Sequence, residues 1–140
     1  MKDKLTVLFL CTHNSCRSQM AEGLVNHFLG DRFHAFSAGT EATRVNPLAV
    51  QVMAELGIDI SGQHSKTVEG FAGHCFDYVI TLCGDANEKC PIFFGGVERI
   101  HMGFIDPSKA SGDNEEILQE FRRVRDEIKE WVLDHFRGTE

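Results

Sequence analysis

The stretch Leu5-Thr-Val-Leu-Phe-Leu10 is almost unbroken apolar sequence, and it stops at Cys11-Thr-His-Asn-Ser-Cys-Arg-Ser18. A run of that kind is expected of a strand buried on both faces of a parallel sheet. The next residues repeat at helical spacing: Met20, Ala21, Leu24, Val25, Phe28 and Leu29, with Gly30 as a stop signal. A buried strand, a short polar loop and a helix follow one another, as at the start of an α/β fold. They also pose a chemical question, because the loop carries two thiols and a permanent positive charge.

The rest of the chain continues the alternation. Phe33 to Ala38 reads as a second strand ending at Gly39. Asn46-Pro47 opens a helix with Leu48, Val52, Met53 and Leu56 on one face, closed by Gly57. A short helix is predicted within Ser65 to Gly73, a strand over Asp77 to Leu82 ending at Cys83, and a short fourth strand over Glu98 to Met102. A last helix runs from Asn114 to Phe136, and its stripe of Ile117, Phe121, Val124, Ile128, Trp131 and Val132 reads as a core-facing surface rather than a cofactor site. The order predicts a single domain over residues 1–140: a doubly wound α/β fold with a small parallel sheet of about four strands flanked by helices.

Open α/β sheets bind ligands at the carboxyl ends of their strands. Cys11, Cys83 and Asp106 each follow a predicted strand, so these three chemically capable residues are expected to meet on one edge of the sheet.

The formal net charge of −7 argues against nucleic acid and anionic membrane as main partners. An anionic substrate would need a local site working against the overall field. The apolar run after Met1-Lys2-Asp3-Lys4 is too short for a signal peptide and far too short to span a bilayer. The expected location is therefore cytoplasmic. Thiols are kept reduced there, so Cys11, Cys16, Cys75, Cys83 and Cys90 are expected to be catalytic or metal-binding rather than structural staples.

A zinc site fits poorly. Four residues separate Cys11 from Cys16 and six separate Cys83 from Cys90, whereas zinc pairs favour two to four. An arginine also has no use in a closed zinc site. A nucleophile inside an anion-binding loop accounts for more. Residues Thr12, His13, Asn14, Ser15, Cys16 and Arg17 can curl so that backbone N–H groups point inward at a helix N-terminus. Arg17 can clamp a tetrahedral oxyanion through two N–H groups, and the same positive environment favours the Cys11 thiolate. Ser18 is placed to donate a hydrogen bond to that thiolate. Asn14 can brace the turn in a left-handed conformation.

The stretch Cys11-Thr-His-Asn-Ser-Cys-Arg-Ser-Gln-Met-Ala-Glu-Gly23 resembles the active-site signature of the low-molecular-weight tyrosine phosphatase fold, and in particular of the thioredoxin-coupled arsenate reductases built on it. The likeness extends through Ser37-Ala-Gly39, Val45-Asn-Pro47, Gly57-Ile-Asp-Ile-Ser61, Val79-Ile-Thr-Leu-Cys83, Asn87-Glu-Lys-Cys-Pro91, Asp106-Pro107 and Phe121-Arg-Arg-Val-Arg-Asp-Glu-Ile128. The pair Cys83 and Cys90 marks the reductase branch. This resemblance implies a three-cysteine relay. Cys11 attacks arsenic with Asp106 as the acid, Cys83 attacks the Cys11 sulfur to release arsenite, and Cys90 frees Cys11 by forming Cys83–Cys90. Thioredoxin or a similar dithiol would reset the enzyme, and phosphate or sulfate would compete for the loop. If the segment from Gly84 to Lys89 is helical when reduced, Cys83 and Cys90 stand about 10.5 Å apart along the axis. A disulfide tolerates at most about 7 Å, so that segment would have to unwind.

Two rival readings use the same residues. A tyrosine phosphatase needs Cys11, Arg17 and Asp106 but has no use for Cys83 and Cys90. Related phosphatases also tend to carry tyrosines after Asp-Pro, where this chain has Ser108-Lys-Ala-Ser-Gly112. A thiol sensor of oxidants or metalloids would form one stoichiometric disulfide without turnover. Cys16 is expected to support the loop and Cys75 to be a small core residue. No cofactor or metal is called for. Some relatives build a potassium site near the loop; Asn14, Glu22 and Ser37 match it, but Lys66 replaces its acidic residue. His13 stands where many relatives have glycine.

Overall fold

The computed structural model describes residues 4–84, 93 and 95–137. Cys90 and residues 85–89, the stretch supposed helical in the reduced protein, lie outside the described residues. The described elements are β1 (Leu5–Cys11), α1 (Arg17–Phe28), β2 (Phe33–Gly39), α2 (Pro47–Ala54), β3 (Phe76–Cys83), β4 (Gly96–Phe104) and α3 (Asn114–Arg137). The strands form one four-stranded sheet in the order β2-β1-β3-β4, and every pairing is parallel. This is the small parallel α/β fold that the alternation of strand and helix predicts.

β1 is central and buried on both sides because its alternate residues enter two different cores. Val7 and Phe9 join Met20, Leu24 and Val25 of α1, Val52 and Met53 of α2, and Phe121, Val124, Ile128 and Phe136 of α3. Leu8 and Leu10 face the other way, onto Phe76 and Val79 with Phe36, Phe71 and Phe93 packed around them. The period-2 geometry of a strand thus converts one apolar run into two packed layers.

The chain runs from β1 to β2 on one side, then crosses to β3 on the other. The carboxyl ends of β1 and β3 therefore form the point where the winding reverses, which is where such sheets open a crevice. Cys11 is opposite Gly39 in the β1–β2 register, and Leu10 is opposite Thr81 in the β1–β3 register. Cys11 and Cys83 accordingly leave adjacent strands at the same edge.

Three expectations need correction. The helix sought within 65–73 is a single 3-10 turn, Val68–Phe71, with no buried residue. β4 begins at Gly96 and ends at Phe104, two residues beyond each predicted end. It is an edge strand in which exposed Val97, Glu98, Arg99, His101 and Gly103 break up any apolar run, although its last residue, Phe104, is buried. Gly30 stands where a stop glycine is expected: α1 ends at Phe28, Leu29 is its C-cap and Gly30 follows directly. A Cβ on Gly30 would come within 2.3 Å of the Asn26 carbonyl oxygen, so the tight turn after the helix needs a glycine. Cys75 also departs from its reading as a core residue, since it is exposed and its thiol is free.

Candidate active site

The loop between β1 and α1 is built around three buried polar side chains. Asn14 takes a left-handed backbone conformation (φ 49°), as its place in the turn predicts. Its Nδ2 donates to Ser18 Oγ at 2.8 Å, and Ser18 Oγ lies 2.9 Å from Cys11 Sγ. With Ser18 Oγ accepting from Asn14, its own proton remains available to the Cys11 sulfur, an arrangement that would serve a thiolate. Asn14, Ser18 and Gln19 are fully buried.

Gln19 locks the turn. Its Nε2 donates to the Asn14 carbonyl (3.1 Å), to Asn14 Oδ1 (3.0 Å) and to the His64 carbonyl (2.9 Å). Gln63 Nε2 donates back to Gln19 Oε1 at 2.6 Å, and the Lys66 backbone N–H to Asn14 Oδ1 at 2.8 Å. The second strand supplies a floor: a Cβ on Gly39 would fall within 2.9 Å of the Thr12 carbonyl, the Asn14 nitrogen and the Cys11 carbonyl. The helix that follows holds the far side, where the Asn46 backbone N–H donates to the Ser15 carbonyl at 3.0 Å.

Arg17 opens α1 and is almost wholly buried. One terminal nitrogen donates to the Phe104 carbonyl at 3.1 Å and, at 3.4 Å, to that of Leu82. The other lies 3.5 Å from Asp106 Oδ2. The ends of β3 and β4 thus orient the guanidinium, and Asp106 arrives beside it because it lies two residues past the end of β4. Its Oδ1 accepts from the Ser108 N–H (3.0 Å) and hydroxyl (2.7 Å), capping the 3-10 turn Pro107–Lys109. Cys11, His13, Ser15, Cys16, Arg17, Asp106 and Ser108 line one small cleft. The Cys16 side chain does not cap α1, so the helix start suits an anion.

Cys16 itself is no second nucleophile. Burial, reinforced by the nearby Asp106 carboxylate, pushes its thiol up to about 12. Cys83 is buried and disulfide-bonded, whereas Cys11 and Cys16 are free thiols. The sheet edge thus gathers Cys11, Arg17, Ser18 and Asp106 around one cleft and carries Cys83 on the adjacent strand. Its proposed partner Cys90 lies outside the described residues.

Residues 6–137 match the low molecular weight phosphotyrosine protein phosphatase family. The chain belongs to that family. It is 55% identical to an arsenate reductase of Bacillus licheniformis over 92% of this chain and 93% of that protein. A solved arsenate reductase in the phosphate-binding state superposes with a TM-score of 0.83, at 37% identity, covering 97% of this chain and 99% of that one. A thioredoxin-dependent arsenate reductase of Corynebacterium glutamicum superposes with a TM-score of 0.60, at 31% identity, over 95% of this chain and 64% of that one.

Behind the loop, Ser37 Oγ donates to Glu22 Oε1 at 2.5 Å, and Lys66 Nζ lies 3.9 Å from the same oxygen. Lys66 Nζ also donates to the His64 carbonyl at 2.7 Å. These residues do not fit a bound potassium ion, because an ammonium group already faces the carboxylate. The tethering has a cost. Burial raises Glu22 above the usual carboxylate range despite Ser37 and Lys66, and burial lowers Lys66 despite Glu22. A raised carboxyl binds more protons folded than unfolded, so its contribution to stability is lost as pH rises through its folded value. A lowered ammonium does the opposite, and its deficit is relieved as pH approaches its ordinary value. Potassium is therefore expected to change neither unfolding midpoint nor Michaelis constant beyond sodium at equal ionic strength. A potassium-specific activation would overturn this account of Lys66.

The bracing by Gln19, Gly39 and Gln63 escaped sequence reasoning. The available signal was Gln19 itself, a long polar side chain next to the apolar face of α1.

Proposed function

We propose that this chain reduces arsenate to arsenite by a thiol–disulfide relay, as a single cytoplasmic domain reset by thioredoxin or a similar dithiol donor. One contrast carries the reading: Cys11 is a free thiol set against Ser18 in an arginine-lined cleft, while Cys83, at the end of the adjacent strand, is held in a disulfide. A nucleophile and a separate redox-active cysteine at one sheet edge suit a reductase, and a phosphatase would use only the first. The arsenate reductases among its relatives, one solved in a phosphate-binding state and one thioredoxin-dependent, support the same reading.

The chemistry follows from the groups present. Arsenate, a tetrahedral oxyanion, sits at the start of α1 with Arg17 on its oxygens. The Cys11 thiolate attacks arsenic, and Asp106 protonates the departing oxygen, which leaves as water. The Cys83 thiolate then attacks the Cys11 sulfur. The new S–S bond takes the place of the As–S bond, whose electron pair goes to arsenic. Arsenic(V) becomes arsenic(III) as two thiols become one disulfide. Cys90 next attacks the Cys83 sulfur, returns Cys11 as a thiolate and leaves Cys83–Cys90 for the external donor. Among the described residues no helix is long and apolar enough to cross a membrane.

The test is NADPH oxidation with thioredoxin and thioredoxin reductase. Sustained turnover is expected with arsenate and not with buffer or a phenyl phosphate. Sulfate and phosphate are expected to raise the apparent Michaelis constant without lowering the maximal rate, and to protect Cys11 from alkylation. A single stoichiometric oxidation without turnover would favour a thiol sensor. Hydrolysis of the phenyl phosphate without arsenate reduction would favour a phosphatase.

A further inference from the structure

His13 lines the cleft with Cys11, Ser15, Cys16, Arg17, Asp106 and Ser108. Its place is enforced from several sides. The Ser65 hydroxyl donates to its carbonyl at 3.0 Å and the Thr43 hydroxyl at 3.3 Å. Its Nε2 stands 3.4 Å from Glu41 Oε1. Glu41 is itself tied to the loop, because its backbone N–H donates to the Thr12 carbonyl at 3.0 Å. The backbones that carry the imidazole and the carboxylate are thus tied to the oxyanion loop at Thr12 and His13, and the two side chains meet at its rim.

The charge balance of the cleft gives this pair a consequence. Arg17 brings one positive charge, Asp106 offsets it at 3.5 Å, and a Cys11 thiolate makes the lining net negative. With a neutral imidazole, Glu41 adds a further negative charge at the rim. The chain as a whole carries −7 and gives no compensating attraction. The geometry points to His13 as a specificity-determining residue. Its protonated ring offsets Glu41 and places a cation at the rim of the cleft, so affinity for doubly charged oxyanions follows the charge on His13. This rests on the oxyanion-binding reading of the cleft.

The charged and titratable groups facing His13 are Glu41 after β2, Cys11 at the end of β1, Cys16 and Arg17 at the start of α1, and Asp106 after β4. His64 and Lys66 flank Ser65 on the segment that holds its carbonyl. All but His13 are retained in a His13→Gln protein, so their contributions cancel when that protein is compared with the wild type.

Sulfate is the probe, because it stays doubly charged across the range in which imidazoles titrate. Binding is followed by calorimetry from pH 8 to pH 5.5. Wild-type affinity is expected to rise about fivefold more on acidification than that of His13→Gln. Glu41→Gln is expected to bind sulfate about two- to threefold more tightly than wild type at pH 8 while keeping the dependence on pH. Identical pH profiles for wild type and His13→Gln, with sulfate bound by both, would overturn the role of His13. So would a Glu41→Gln protein no tighter than wild type at pH 8. Failure of sulfate to bind either protein at any pH would instead remove the oxyanion-cleft reading on which the inference rests, and the inference with it. Circular dichroism of each variant checks the fold.

Discussion

Serine at Cys11 is expected to abolish arsenate turnover and phosphoester hydrolysis together, because both begin with the same sulfur. The other two cysteines should separate the activities. Cys83→Ser stops reduction, since no thiolate remains to attack the Cys11 sulfur and send the As–S electron pair to arsenic. It should leave any weak hydrolysis of a phenyl phosphate, because Arg17, Ser18 and Asp106 keep their places around the cleft. Cys90→Ser should release about one arsenite per enzyme and stall as Cys11–Cys83, because the exchange that frees the nucleophile is missing. Mass spectrometry of the stalled protein, digested without reductant, identifies the joined pair. Loss of hydrolysis in a folded Cys83→Ser protein would show the roles to be wrongly assigned. Sustained thioredoxin-coupled turnover by Cys90→Ser would refute the three-cysteine relay.

Arg17→Lys is expected to lower arsenate turnover by about 10²–10³-fold, the scale seen when an oriented oxyanion donor is lost. The change keeps the charge and removes the planar fork. A lysine ammonium is a compact point donor, so it cannot bridge the Phe104 carbonyl, Asp106 and an oxyanion in one plane as the guanidinium does. The loss should also reach the fold. Arg17 is buried and serves carbonyls at the ends of two strands, and leaving them unmatched costs about 1–3 kcal/mol. Denaturant unfolding read alongside kinetics separates the two effects. A variant that loses stability yet keeps its rate would mean Arg17 is a strut rather than an anion clamp.

The nucleophile, the arginine and the serine were legible because they are contiguous. A strand followed within seven residues by a helix leaves the chain few ways to run, and Cys11, Arg17 and Ser18 are carried along with it. Asp106 was legible for a different reason: parallel sheets gather their strand ends on one edge, so a carboxylate just past a strand is delivered there whatever its distance in sequence. Lys66 beside Glu22 was legible only through resemblance. Gln19, Gly39 and Gln63 were not, because their importance lies in contacts. Gln19 serves as a brace only because the His64 carbonyl lies 2.9 Å away, 45 positions along the chain. Gly39 looks like any strand-ending glycine until the loop backbone is seen packed against it.

Sequence alone determined the α/β alternation, the strand-loop-helix that holds Cys11 and Arg17, and the edge of the sheet on which chemistry would collect. Those follow from period-2 and helical apolar patterns, which are local and survive without knowledge of partners. The tertiary structure decided the strand order that sets β1 beside β3, the pairing of Arg17 with Asp106, the clamp of Gln19 on Asn14, and the placing of His13 beside Glu41. Each of these joins polar groups from separate segments. Hydrogen bonds and ion pairs depend on distance and angle in space, and those are set only when the apolar faces have packed.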